Sequence, residues 1–333
     1  MFELSFIWAG IIAFAVLTYV ILDGFDLGVG ILFPLAETER EKATMMNSIA
    51  PIWDGNETWL VLGGGGLFAV FPLAYAVIMP ALYMPIILML LALIFRGVAF
   101  EYRWRTERWK PVWDRAFFGG SIVAAFMQGI ALGALVQGID VADRAYAGGW
   151  WDWLSLFSIL TGCAVVVGYA LLGAAWLVMK TEGPLQRQME GYARWLAMGT
   201  LGFIGIVSLL TPFQDPVYFE RWFNMPGLAL SVAMPGAVLA AAWALFSGLK
   251  AHKDAQPFLA ALTLFGLCFI GIGISFYPHI VPPGLTIADA AAPDESLRFA
   301  LVGTVVLVPM ILAYTAYAYW VFRGKVDPDE GYH

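Results

Sequence analysis

The chain has 333 residues, of which 61% are hydrophobic and only 13% charged. A soluble domain carries roughly 25% charged residues, so this composition excludes a soluble core and marks a polytopic membrane protein. The net charge of −7 comes with no basic block, which gives no footing for nucleic acid.

Hydropathy divides the chain into nine apolar helices, at about 4–32, 50–71, 75–98, 116–138, 153–179, 193–212, 225–249, 257–278 and 299–322, each near the roughly 20 residues needed to cross a bilayer. The fold class expected is an all-α polytopic membrane protein forming one integral membrane domain over 1–333. No cleavable signal peptide is expected, because the first apolar stretch is too long and holds acids near its far end.

The first helix ends in Leu22-Asp23-Gly24-Phe25-Asp26-Leu27-Gly28-Val29-Gly30. Asp23 and Asp26 are one turn apart and share a face. Gly24 and Gly28 have the small-xxx-small spacing that admits a neighbouring helix. Either these acids pair with a nearby arginine, or they line a polar pocket or proton site between the first two helices.

After a connection expected at 34–49, the second helix opens on Trp53-Asp54-Gly55-Asn56-Glu57-Thr58-Trp59-Leu60 and runs directly into apolar sequence. Asp54 and Glu57 fall on one face near a membrane boundary, where a carboxylate is costly unless neutral, paired or wetted. Asp54 also suits an N-cap. Asp23, Asp26, Asp54 and Glu57 are expected at similar depth; like charges crowded at low dielectric repel, so such a group holds protons and offers a basis for relaying them. Gly63-Gly64-Gly65-Gly66 lies mid-helix with no Lys-Ser or Lys-Thr after it, which suits close packing or a flat cofactor and not a phosphate loop.

Arg96 and Glu101 flank the inner end of the third helix, and Arg96 is the natural cation for the acids. The run from Tyr102 to Lys110 is basic and aromatic, as in segments that anchor at an anionic leaflet. Only Arg144, Arg221 and Arg298 fall in one set of connections, and the other 15 of the 18 basic residues fall in the opposite set. The positive-inside rule then places the N-terminus outside and the C-terminus in the cytoplasm. The connection at 279–298, with Pro282-Pro283-Gly284, is expected to be ordered by turn chemistry.

The histidines are His252, His279 and His333, and no two can face each other across the membrane. A bis-histidine haem within this chain is therefore excluded, and no clustered Cys/His metal site is expected. Cys163 and Cys268 read as small buried hydrophobes without a disulfide.

With these motifs in view, the chain resembles subunit II of the cytochrome bd-type quinol oxidases, including the cyanide-insensitive branch. The likeness rests on Asp23 to Gly30, Asn47-Ser48-Ile49-Ala50-Pro51, Trp53 to Leu60, and Phe95-Arg96-Gly97-Val98-Ala99-Phe100-Glu101-Tyr102-Arg103. The resemblance implies two four-helix bundles plus a peripheral helix. It implies a haem-bearing subunit I as partner, carrying b-type and d-type or only b-type haems, with none ligated here. That partner oxidises quinol and reduces dioxygen to water in the bacterial inner membrane. A small single-helix subunit is compatible with it, as is a quinone or lipid bound in subunit II. The family's proton path passes the position of Asp54, and Glu57, Asp23 and Asp26 are expected to support it, with Asn56, Arg96 and Glu101 as polar or ion-pair neighbours. The family often has Gln where this chain has Glu57, so an acid is added here. On residue chemistry alone, an ion or solute transporter using the same acids, or a purely structural assembly partner, are the other readings.

Overall fold

A computed structural model describes residues 3–225 and 227–327. His333 lies outside them. The described residues are mainly helical, with two short hairpins: β1 (Val141–Ala142) with β2 (Ala145–Tyr146), and β3 (His279–Val281) with β4 (Leu285–Thr286).

The helices in chain order are α1 (Leu4–Leu32), α2 (Glu39–Ile49), α3 (Trp53–Val70), α4 (Pro72–Ala81), α5 (Tyr83–Tyr102), α6 (Lys110–Gln137) and α7 (Leu156–Lys180). They continue with α8 (Gly183–Leu210), α9 (Pro216–Phe223), α10 (Gly227–Lys250), α11 (Ala255–Phe276), α12 (Ile287–Ala290) and α13 (Asp294–Val321). Eight described helices are long and apolar enough to cross a membrane, namely α1, α5, α6, α7, α8, α10, α11 and α13. The chain is a multi-pass membrane protein. The second expected helix, α3, is not among the eight, because its first two turns carry Asp54, Asn56 and Glu57.

Several expected boundaries move. The third helix, expected at 75–98, is two helices broken at Leu82. Pro80 removes an amide donor just before the break, and Pro85 sits in the first turn of α5, where proline is tolerated. The connection expected at 34–49 contains α2, started by a reciprocal Thr38–Glu41 capping box and buried along Met45, Met46 and Ile49. Its polar start hides it from a hydropathy scan. The helix expected at 193 begins at Gly183. The connection at 279–298 is ordered, by the β3–β4 hairpin and α12.

Helices α1 and α7 lie at the centre. Flanking α1 are α3 and α6, with α5 against α6; flanking α7 are α6, α8 and α11, with α10 on α11. Lipid tails supply no hydrophobic drive between membrane helices, so close packing does the work. The neighbour that the glycines of α1 admit is α7: a Cβ on Gly28 would strike the Tyr169 carbonyl, and one on Gly24 would press the Tyr169 ring. In the glycine run only Gly63 and Gly66 face α1, at Val16 and Ile12, while Gly64 and Gly65 are exposed with nothing within 4 Å. Cys163, expected to be buried, is exposed on α7.

The connections rich in lysine and arginine are bonded to one another at one end. Arg103, fully buried, donates to Asp114 at 2.6 Å and to Glu39 at 2.8 Å, and Lys42 reaches Asp114 at 2.9 Å. This clamp fixes α2 to the start of α6, so Arg103 in the basic aromatic run has a tertiary role. At the same end Lys180 donates to the carbonyls of Phe322 and Gly324, and Lys325 donates to Thr181 and pairs with Asp254 at 2.9 Å. These bonds latch the end of α13, whose only buried residue is Leu297 near its start, onto α7.

Partial burial of Glu39 opposes its charge, but the bond from Lys42 and the charge of Arg103 outweigh it and hold the carboxyl below its ordinary range. A carboxyl lowered by folding contributes stability at pH values above its unfolded value, about 4.3, and loses it as pH falls through the folded value. Amide exchange of α2, corrected for intrinsic rate, is therefore expected to be unchanged from pH 8 to about 5 and to speed up below that. In Glu39→Gln the acceleration should be smaller, with a difference of no more than about 1 kcal/mol because the side chain is half exposed.

Candidate functional site

The end of α1 from Asp23 to Gly30 is wholly buried, so both acids face protein. On α3, Asn56, Trp59 and Gly63 form the inner face, while Asp54, Thr58, Val61 and Phe68 point outward. Residues three, four and seven apart share a side of a helix, and this periodicity separates Asn56 from Asp54.

Arg96 enters from α5 with no exposed side-chain surface. Its Nη1 lies 3.3 Å from Asp23 Oδ1 and 3.8 Å from Glu57 Oε2. The guanidinium also sits 5.7 Å from the centre of the Trp53 ring, which stacks on Phe100. Asn56 Nδ2 donates to Asp26 Oδ2 at 2.7 Å, and the Tyr319 hydroxyl of α13 donates to Asn56 Oδ1 at 2.9 Å. Asp23 and the partly exposed Glu57 thus face one buried guanidinium, with the buried Asp26 one turn along α1 from Asp23.

A second buried chain adjoins it. Tyr169 OH donates to Gln128 Oε1 at 2.7 Å, and Gln128 Nε2 donates to Tyr19 OH at 2.8 Å, one turn before Asp23. Gln128 was legible as the lone carboxamide in the apolar run from Ile122 to Val136. Tyr19, Tyr169 and Tyr319 carried no comparable signal, since tyrosine is common at membrane boundaries.

The structure therefore unites Asp23, Asp26, Asn56, Glu57 and Arg96. It does not place Asp54 among them: Asp54 is the second residue of α3, not its cap, and is exposed on the outer face, one turn before Glu57. Glu101 is exposed and lies outside the cluster. Among the described residues no group of three or more His, Cys, Asp or Glu side chains is placed to hold a metal ion.

Fold and site together define a helical, multi-pass membrane protein built around a cluster of acids and one buried arginine. The family described as Cytochrome bd terminal oxidase subunit II matches residues 4–322, and the chain belongs to that family. It is thus a subunit of a terminal quinol oxidase, an oxidoreductase complex that has a subunit I. The chain is 32% identical to the cytochrome bd-I ubiquinol oxidase subunit 2 of Escherichia coli strain K12, with 98% of this chain and 96% of that protein covered. It is 30% identical to the cytochrome bd ubiquinol oxidase subunit 2 of Bacillus subtilis strain 168, with 99% of each covered. In fold it is similar to a chain of the bd oxidase from Geobacillus thermodenitrificans, with a TM-score of 0.79, 18% identity, and coverage of 96% of this chain and 98% of that one.

Proposed function

We propose that this chain is the haem-free subunit of a quinol:dioxygen oxidoreductase of the bacterial inner membrane. It stabilises the haem-bearing subunit I and carries protons from the cytoplasm toward the partner's haems for reduction of dioxygen to water. It crosses nine times, with α3 as the second crossing and α4–α5 as the third, the N-terminus outside and the C-terminus cytoplasmic. Helices α1, α3, α5 and α6 make one bundle, α7, α8, α10 and α11 the other, and α13 is peripheral.

Asp54 collects the proton and Glu57 passes it to the buried acids. One observation carries this reading: an outward carboxylate sits one turn from Glu57, which in turn lies 3.8 Å from the Arg96 that binds Asp23. The same outer face of α3 carries Thr58, Val61, Gly64, Gly65 and Phe68. Its exposed glycines suit close approach by a helix of the partner, which puts Asp54 at the junction of the two subunits.

Asp54→Asn keeps size and polarity but carries no proton. Oxygen consumption by the assembled complex is expected to fall about 10²-fold, the scale of one positioned acid–base group, with an unchanged haem absorption spectrum. Full turnover in an assembled D54N complex would defeat the relay.

A further inference from the structure

Asn56 stands between two groups that each exist in two hydrogen-bonding forms. An ionised aspartate only accepts, and a protonated one also donates; a tyrosine hydroxyl does both; an amide accepts at Oδ1 and donates at Nδ2. In the arrangement described, Tyr319 OH donates to Asn56 Oδ1 and Asn56 Nδ2 donates to Asp26 Oδ2, which suits an ionised Oδ2, while Asp26 Oδ1 has no hydrogen-bond partner. Turning the amide over produces the other set: a protonated Asp26 donates to Asn56 Oδ1, and Asn56 Nδ2 donates to the Tyr319 oxygen. These are the two arrangements in which Asn56 bonds both Tyr319 and Asp26 Oδ2, and an unpaired buried polar group is costly.

We propose that Tyr319 is a positioning residue, and that Asn56 turns over between Tyr319 and Asp26 so that Asp26 is hydrogen-bonded in both its protonated and its ionised form. This rests on the proton-carrying reading above. The amide conducts no proton itself; Asp26 gains its proton from the acid cluster and returns it there, while the two hydrogen bonds reverse direction.

Two further features fit this role. Asn56 is 1% exposed and Asp26 is fully buried, so water does not compete for either bond. Tyr319 also lines a cavity of about 290 Å³ with Ser48, Trp176, Lys180, Asp254 and Lys325. The latch from Lys180 and Lys325 holds this end of α13 in place, while the Tyr319 ring packs edge-on to Phe25 and Trp176. The charged and titratable groups facing Asp26 are Asp23 on its own helix, Glu57 on α3, Arg96 on α5 and Tyr319 on α13.

The test uses the intact oxidase complex, by infrared difference spectroscopy across pH together with the pH profile of oxygen consumption. Asp26→Asn identifies the carboxylic C=O band of Asp26. Tyr319→Phe keeps the ring and its packing but loses the hydroxyl. It is expected to shift that band in frequency and to move the midpoint of its titration by up to about one pH unit, the scale of one hydrogen bond. Asn56→Leu, of similar volume but unable to make either bond, is expected to shift the midpoint at least as far, and serves if Y319F does not assemble. An Asp26 band with the same frequency and midpoint in these variants would overturn the proposal, as would no pH-dependent band lost in D26N. Unchanged turnover in D54N would defeat the earlier reading instead, while the infrared result still decides this one.

Discussion

Replacing Arg96 with methionine is expected to cost about 3–5 kcal/mol, the scale for removing one partner of a buried ion pair. The guanidinium is fully buried, 3.3 Å from Asp23 and 3.8 Å from Glu57, and it is the cation that offsets the charge of both. Methionine fills much of the volume, so the loss is electrostatic and not a cavity. The observable is the yield of assembled complex from the membrane, which should fall severely. Arg96→Lys should recover part of it, since a lysine restores the charge but not the planar group over Trp53. Normal yield in R96M would show that the acids do not depend on this cation.

Gly28→Val is expected to be comparably damaging for a different reason. A Cβ there would strike the Tyr169 carbonyl oxygen and lie 2.7 Å from the Gly173 amide nitrogen. Both obstacles are backbone, so no side chain can move aside and the central helices must separate. Overpacking of this kind costs about 1–3 kcal/mol or more, and here it also shifts Asp23 and Asp26 away from Arg96. The control is Gly119→Ala, with nothing within 4 Å of the added carbon, which should be neutral or slightly stabilising because alanine is the better helix former. Thermal unfolding midpoints of the purified complexes separate the two, and equal midpoints would refute the close contact.

Much of this was legible in advance because membranes impose simple rules. A bilayer demands long apolar helices, so most spans were found to within a few residues, and α1 was placed as observed. An acid inside an apolar run is too costly to be incidental, so Asp23, Asp26, Glu57 and Arg96 stood out. The motifs around them were specific enough to indicate the family. The clamp helix α2 was not legible, because its polar start reads as a loop. The outward turn of Asp54 was missed too: spacing alone puts Asp54 and Glu57 near one another, but only the rotation of α3 against α1 decides which side is buried.

The amino-acid sequence by itself determined that this protein lives in a membrane, where its costly side chains lie along the chain, and which family it belongs to. Each of these depends on local composition and order. The tertiary structure alone decided that Gly24 and Gly28 serve α7, that Asn56 and not Asp54 joins the buried acids, and that Tyr319, 263 residues away, completes the chain of hydrogen bonds. Those outcomes depend on how helices rotate and pack against one another, and the long-range contacts that set those rotations are not encoded in any one stretch.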